Sequence, residues 1–246
     1  MPDFDHPQSS SHLSAAILAA GLVLAAAVGS WTFYSVRSFD NPLPVTGSAK
    51  MAVAADMVLW SGQFTRSVDS NGIKAGYDQM RKDSAAVAKF LKKNTIDDKN
   101  VTISTVFMDQ DYSYNVNSGQ PRNYILRQTV DVGSADVAGV TKIAKNTDEL
   151  INQGVLFSTQ ALNYTVTKLP ELRVTLLKDA IKDARARAAS IAENDGKSVG
   201  SLKSASIGVV QVLAPNSTAV DDYGSYDTSS IEKEVMVTVR ASFQLR

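Results

Sequence analysis

The pattern of hydrophobic and polar residues divides the chain into one long apolar stretch near its start and a series of alternating segments behind it. No charged residue occurs from Leu13 to Val36, and about 20 apolar residues are enough for a helix to cross the hydrocarbon core of a bilayer. Trp31 and Tyr34 lie near one end of the stretch, where aromatic side chains favour the level of the lipid headgroups. The pattern predicts a polar tail at 1–12, a transmembrane anchor at 13–36, a linker at 37–44 and a separate domain at 45–246.

A cleaved signal peptide is the alternative interpretation of the apolar stretch. Signal peptides begin with basic residues and have a shorter apolar core, whereas the first 12 residues contain Asp3 and Asp5 and neither lysine nor arginine. Ala27 and Gly29 are small enough to form a cleavage site. The length of the run and its acidic start favour an uncleaved anchor.

Small residues recur every four positions within the predicted anchor, at Gly21, Ala25 and Gly29. Residues four apart share one face of a helix, and small side chains there let two membrane helices approach closely. This face is therefore a candidate surface for helix pairing. The alternative is that an alanine-rich helix contains such spacings by chance.

Behind the anchor, alternation with a period of two marks strands and spacings of three to four mark helices. A strand, a helix and a hairpin follow one another twice, in halves at about 45–133 and 155–246, with one further helix between them. The sequence therefore predicts an α+β fold of two βαββ-like lobes, with antiparallel sheets and helices on one face, behind the transmembrane helix. The predicted strands begin near Val58, Val101, Tyr124, Leu162, Ile207 and Val235, and the strand from Ile207 extends to Leu213. The predicted helices run at 73–91, 134–151 and 170–191. Ser70 is expected to cap the first helix, and the apolar stripe of the third includes Ile191.

Composition excludes several classes of function. Lysine plus arginine and aspartate plus glutamate number 25 each, so no basic field exists to hold nucleic acid. The chain has no cysteine, and its two histidines, His6 and His12, lie in the N-terminal tail. The domain thus lacks Ser-His-Asp and Cys-His catalysis and the commonest metal ligand. We expect a protein that is not an enzyme, with no catalytic residue, no cofactor and no metal.

Two stretches resemble the SIMPL-domain family of bacterial envelope proteins. The first is Val45-Thr46-Gly47-Ser48 followed by Ala54-Ala55-Asp56-Met57, which is similar to a V-x-G-x-G strand and a Pro-Asp step in the family, with Ser48-Ala49 and Ala55 as departures. The second is the Ala/Arg-rich run Asp179–Ala188, followed by Gly196 and Val199-Gly200. The resemblance implies two βαββ-like lobes, an extracytoplasmic location and an envelope or stress-related role, and it carries over no catalytic residue.

Carboxylates and tyrosines cluster in the two predicted hairpin loops. The first loop contains Asp111, Tyr112 and Tyr114, and the second contains Asp222, Tyr223, Tyr226 and Asp227. Tyrosine gives a large contact at a low entropic cost, which favours recognition, so these seven residues are the candidate partner or ligand loops. Asp109 with Asp111 allows a carboxylate-dependent hydrolase. Asp221, Asp222 and Asp227 allow an ion-sensing loop, although the spacing lacks the EF-hand pattern.

The leading hypothesis is a membrane-anchored, non-enzymatic envelope protein that works by homo-oligomeric assembly or by binding an unidentified envelope protein, with a role in envelope or oxidative stress. A ligand- or ion-sensing module and a hydrolase are the alternatives. We expect a single pass through the inner membrane with the domain in the periplasm. The positive-inside rule weakly opposes this orientation because Arg37 follows the helix, but the resemblance and the absence of thiols favour it.

Overall fold

The structure is a computed structural model, and it describes residues 9–38, 42–112, 122–217 and 223–246. Its first element is the helix α1, Ser9–Ser38. Within α1, the segment Ser14–Ser35 is long and apolar enough to cross a membrane, and none of it is buried inside the protein. The helix confirms that the apolar stretch has the length and composition of a membrane span.

Nine strands and four further α-helices follow α1 in the described residues. Strands are β1 (Leu43–Ala54), β2 (Met57–Asp69), β3 (Val101–Ile103), β4 (Phe107–Gln110), β5 (Asn123–Ser134), β6 (Leu156–Thr165), β7 (Val199–Ile207), β8 (Gln211–Leu213) and β9 (Glu232–Leu245). Helices are α2 (Ile73–Lys93), α3 (Val137–Ala144), α4 (Asp148–Asn152) and α5 (Leu169–Asn194), with a 3-10 turn at Asp98–Asn100. The strands form two sheets with antiparallel pairing in the registers described, so the α+β prediction is confirmed.

The chain divides into two compact units, each built from separate stretches of sequence. We call Met1–Ser48, Asp179–Gly208 and Thr238–Arg246 the first unit, and Ala49–Lys178 with Val209–Val237 the second unit. The repeat-like halves predicted at about 45–133 and 155–246 divide the chain differently from these two units. The internal duplication stays a prediction.

The second unit is built on a sheet in which β5 and β2 are the central strands. The strand order is β3-β5-β2-β6, and β4 also pairs with β5. The helices α2, α3 and α4 contact β2, β5 and β6, and the core between helices and sheet includes Trp60, Phe64, Met80 and Leu126. Alternating residues of β2 and β5 face this core, as the period-two pattern predicts.

In the first unit, α5 lies against β1, and β9 lies between β1 and β7. Helix packing here depends on alanine: Ala180, Ala184, Ala188 and Ala192 are each no more than 1% exposed. The predicted stripe on this helix included Ile191, which is half-exposed in the structure. The buried stripe therefore runs along small side chains, because these permit a close approach of helix and strand.

Four predicted boundaries need correction. The linker predicted at 37–44 ends early, since β1 begins at Leu43. The single helix predicted at 134–151 is two helices, α3 and α4, and the Thr159 hydroxyl donates to the Ala144 carbonyl at the end of α3. The strand predicted at 207–213 is the end of β7 and a separate β8. The helix cap predicted at Ser70 is absent, and Asp69 accepts from the backbone at Asn71 and Gly72 instead.

Candidate interaction surfaces

The first tyrosine-containing loop lies only partly within the described residues. Tyr112 follows β4 and its side chain is 78% exposed. Asp111 precedes it, and its backbone N–H donates to the Asn123 carbonyl. Tyr114 lies outside the described residues. Of the three candidates in this loop, Tyr112 is thus the side chain that the structure presents to solvent.

The second loop contains one exposed and one tethered tyrosine. Tyr223 is 93% exposed. The Tyr226 hydroxyl accepts a hydrogen bond from the Val166 backbone N–H at 2.9 Å, and Tyr226 forms a parallel bridge with Val212. Asp222 and Asp221 lie outside the described residues. Tyr226 therefore holds the loop against β8 and the end of β6, while most of the surface of Tyr223 is exposed to solvent.

The carboxylate of Asp227 is surrounded by donors from its own loop and from β9. The backbone and hydroxyl groups of Ser229 and Ser230 donate to it, and the Lys233 ammonium lies 3.2 Å from Oδ2 and 2.5 Å from the Asp227 carbonyl oxygen. Burial raises the pKa of this carboxyl. The serine and lysine donors lower the pKa by a larger amount, so the net pKa lies below its ordinary value. The structure thus uses the Asp227 oxygens to fold the loop.

Lys233 is the residue of this loop that the sequence analysis missed. Its side chain is fully buried, and it occupies an inward-facing position of β9 in phase with Val235 and Val237. A lysine in phase with a run of buried valines is a signal for a buried ion pair. The alternating pattern would have revealed it if extended two residues towards the N-terminus.

Asp109 and Asp111 do not form an isolated carboxylate pair. The Asp109 carboxylate lies 3.0 Å from Nε of Arg127, whose guanidinium is also 5.8 Å from the ring centre of Phe107. Both charged side chains are about half exposed. Asp97 accepts from the Lys99 N–H and caps the 3-10 turn. In the described part of the chain, no three acidic or histidine side chains lie close enough together to hold a metal ion.

The open face of the second unit's sheet has a shallow groove of about 690 Å³. Leu59 lies in it between Gly133 on β5 and Asn163 on β6, and it is half-exposed. Two residues further along β2, the Ser61 hydroxyl donates to the Asp131 carboxylate on β5 at 2.5 Å. The groove therefore combines the half-exposed Leu59 with a Ser61–Asp131 pair whose polar groups already bind each other.

The two sequence stretches that carry the family resemblance meet in the first unit. A β-carbon at Gly47 would lie 2.7 Å from the Ala184 β-carbon and closer still to the Ala180 carbonyl oxygen. The Ser48 backbone N–H donates to the Asp183 carboxylate at 2.8 Å. This bond, with Arg187 at 2.9 Å, lowers the pKa of Asp183. The glycine in β1 and the alanines in α5 thus have one cause, which is the close approach of strand and helix.

Arg185 continues this contact to the other strands of the first unit. Its guanidinium is 5.9 Å from the ring centre of Phe243 on β9 and donates to the Gly200 carbonyl on β7 at 3.3 Å. The Ala/Arg-rich helix therefore reaches β1, β9 and β7 through named side chains. These contacts assign a packing role to the residues of the stretch.

The helix-pairing candidates lie on α1 and are open. No atom lies within 4 Å of a β-carbon built at Gly21 or at Gly29, and Ala25 is exposed. Of the predicted sites, the tyrosine loops and this face of α1 are the ones that the described residues expose to other molecules.

Together, the fold and these surfaces define a class of protein: an α+β domain of two compact units behind an N-terminal helix that could span a membrane. The chain belongs to the SIMPL family, described as a protein of unknown function (DUF541), whose model matches residues 43–243. A search of curated proteins finds no match to the chain. The family expectation from the two stretches is therefore confirmed, and its description assigns no activity.

Proposed function

We propose that this chain is a membrane-anchored, non-enzymatic protein of the bacterial envelope that acts by assembling with copies of itself or by binding another envelope protein. The observation that carries this proposal is α1. Its Ser14–Ser35 segment contains no charged residue, and large side chains such as Leu22, Trp31 and Phe33 are more than 60% exposed. Such a surface is stable in lipid and costly in water.

The position of the reactive groups supports a role in binding over a role in catalysis. The soluble part of the chain contains neither histidine nor cysteine. Of its carboxylates, Asp83, Asp183 and Asp227 have hydrogen-bond or ion-pair partners within their own units. The exposed side chains of Tyr112 and Tyr223 are of the type that forms contacts between proteins.

An extracytoplasmic domain fits the composition and the resemblance. A chain without cysteine can fold unchanged in an oxidising compartment. The single Arg37 after the helix favours the opposite orientation only weakly, because the rule depends on an excess of basic residues. The proposal also includes a role in envelope or oxidative stress, which rests on the family resemblance.

Single cysteines test the anchor and the orientation, because the natural chain has none. Ser190→Cys lies at an exposed position on α5, and Ser9→Cys lies at the first residue of α1. We expect a membrane-impermeant maleimide to label Ser190→Cys in intact spheroplasts and to label Ser9→Cys only after lysis. The protein should also remain in the membrane during alkaline carbonate extraction. The reverse labelling would overturn the orientation, and release by carbonate would overturn the anchor.

A further inference from the structure

The sheet of the first unit has a small polar hollow on its open face, which is the face opposite α5. The buried residues of β9 face α5, and Arg240, which alternates with them, is exposed on the other side. The hollow has a volume of about 200 Å³, and its lining includes Arg240, Thr46, Ser206 and Thr238. It therefore brings together one cation and three hydroxyl groups.

Three neighbouring strands build this hollow, since they lie in the order β1-β9-β7. Ser206 on β7 is the partner of Arg240 on β9, so their side chains share one face of the sheet. Thr46 on β1 alternates with the buried Val45 and Gly47, and Gly47 faces α5. The Thr46 side chain therefore points to the open face. The sheet holds these groups in place before any ligand arrives, which lowers the entropic cost of binding.

A glycine keeps one end of the hollow open. The Gly208 N–H donates to the Thr238 carbonyl at 2.9 Å, so the two residues lie side by side. A β-carbon at Gly208 would collide with the Thr238 hydroxyl oxygen. The missing side chain thus leaves the space that this hydroxyl occupies.

The polar side chains of the hollow have no partner within the part of the chain that the structure describes. No hydrogen bond or ion pair there involves the side-chain polar groups of the four residues Arg240, Thr46, Ser206 and Thr238. The donors of the guanidinium and of the hydroxyls are therefore free to bind another molecule.

This set of groups fits a phosphate. The planar fork of an arginine binds two phosphate oxygens at once, and bonds between charged groups are stronger than neutral ones. Hydroxyls on both sides of Arg240 can donate to the remaining oxygens. The hollow therefore has the chemistry of a site for one phosphate group.

The strands around the hollow carry charge of one sign. The parts of β1, β7 and β9 that belong to the first unit contain Lys203 and Arg240 and no acidic residue. Further along β9, Glu234 is already paired with Lys50 at 3.0 Å. A basic surface of this kind is attracted to the anionic lipids of a membrane.

The anchor keeps the hollow close to a membrane surface. The apolar segment of α1 ends at Ser35 and β1 begins at Leu43. An extended chain covers at most about 29 Å over those eight steps, and Thr46 lies about 10 Å further along the strand. Tethering raises the effective concentration of headgroup phosphates at the hollow, which favours lipid over a phosphate in solution.

We propose that the hollow binds the headgroup phosphate of an anionic phospholipid in the membrane that holds α1, with Arg240 as the principal binding residue. This inference rests on the anchor in the proposed function. It requires neither self-assembly nor a particular orientation, because both surfaces of a bilayer present headgroups. Binding brings the open face of the sheet onto the membrane and leaves α5 on the side away from it.

Fluorescence quenching at the membrane surface measures this docking. Full-length protein carries a fluorophore on Ser204→Cys, an exposed position on the open face beside the hollow, and is placed in nanodiscs that contain a lipid with a nitroxide headgroup. Replacing part of the phosphatidylcholine by phosphatidylglycerol should raise the docked-to-free ratio about fivefold. The matched control is Ser190→Cys on α5, where the quenching should not rise.

Exchanges of the basic residues separate a phosphate site from a general attraction between charges. Arg240→Lys keeps the charge but loses the fork, and it should lower the docked-to-free ratio about fivefold. Lys203→Gln removes a charge outside the hollow and should lower the ratio less. Attraction without a site predicts the reverse order, because Lys203→Gln alone changes the net charge. Both side chains are exposed, and thermal unfolding is the check on folding.

Inorganic phosphate identifies the source of the phosphate group. Added to the nanodiscs with phosphatidylglycerol, it should reduce quenching at Ser204→Cys no more than chloride does at the same ionic strength. A loss of quenching with phosphate alone would assign the hollow to free phosphate and overturn the lipid.

The outcomes separate this inference from the proposed function. Quenching at Ser204→Cys that is equal in the two lipids, or that follows net charge alone, overturns the phosphate site while the anchor and the assembly stand. Protein that is recovered free of lipid overturns the anchor and with it both proposals.

Discussion

At the scale of single residues, the structure gives precise reasons for side chains that looked ordinary in the sequence. Gly47 permits α5 to pass over β1, because any β-carbon there would meet the helix backbone at Ala180. Lys233 is buried, and its ammonium donates hydrogen bonds to the carboxylate and the carbonyl oxygen of Asp227. Both residues stabilise the fold, and Lys233 does so by holding the candidate loop at Asp227.

We predict that Gly47→Ala destabilises the protein through this steric conflict. Forcing extra atoms into a packed contact costs about 1–3 kcal/mol, and here the contact includes helix backbone that cannot rotate away. The control is Gly133→Ala on β5, where the added carbon would meet the Leu59 side chain at an ordinary 3.5 Å. Urea unfolding should show a clear fall in stability for the first variant and a change within about 0.5 kcal/mol for the second. Equal effects would contradict the close approach.

The Asp227 pair predicts how stability depends on pH. The folded pKa of Asp227 is depressed, so its stabilising contribution is complete above the unfolded pKa and is lost as pH falls below about 4 towards the folded pKa. Asp227→Asn should lower the unfolding free energy at pH 7 and flatten its dependence between pH 5 and pH 3. Chemical unfolding across that range is the measurement. Parallel pH profiles for the natural chain and the variant would show that another carboxylate dominates.

At the scale of elements, the alternating strands and the helices could be predicted, and the irregularities could not. The residues of β2 and of β9 alternate without interruption, so their pattern was clear. In β6, a register shift opposite Ser61 and Gly62 puts Phe157 and Leu162 out of phase, which hid the strand's first half. A similar shift after Leu202 hid β7. Bulges depend on the partner strand, so no single-strand pattern reveals them.

Loops limited the prediction of the site in the same way. The tyrosine residues were found from composition, and Tyr112 and Tyr223 are indeed exposed. The contact from the Val166 N–H to Tyr226 joins residues 60 positions apart, and the exposure of β7 follows from which strands the sheet contains. Long-range contacts of this kind are set by topology, so local sequence does not specify them.

A buried ion pair joins β2 to α2 and gives a prediction at this scale. Arg66 binds both oxygens of Asp83, at 2.6 and 2.9 Å, and donates to the Gly154 carbonyl after α4. Asp83 is 3% exposed. Asp83→Ala leaves the guanidinium without its carboxylate, and we expect a loss of about 3–5 kcal/mol in unfolding free energy.

The matched control for this pair is on the same helix. Asp78 forms an exposed ion pair with Arg81 three residues later, and such pairs contribute about 0–1 kcal/mol. Asp78→Ala should therefore change the denaturant midpoint little. If the two alanine variants unfold alike, the ion pair at Asp83 does not stabilise the contact between β2 and α2.

At the scale of the whole molecule, an apolar helix precedes a domain that has exposed contact surfaces. The anchor offers the face of Gly21, Ala25 and Gly29, and the domain offers Tyr112 and Tyr223. If the helix face contributes to assembly, Gly21→Leu combined with Gly29→Leu should reduce crosslinked oligomers without altering membrane insertion, because bulky side chains keep helices apart. Unchanged crosslinking in that variant would assign assembly to the domain alone.

Of the two modes in the proposed function, assembly with copies of itself is tested by the number of copies in each membrane particle. Full-length protein carrying one fluorophore per chain, extracted with its surrounding lipid in polymer nanodiscs at low expression, can be counted by photobleaching steps. The account predicts that most particles contain two or more copies. Reduced counts are expected in the Gly21→Leu, Gly29→Leu variant. A population of single-step particles in the natural chain, matching a known monomeric membrane protein, would contradict the account.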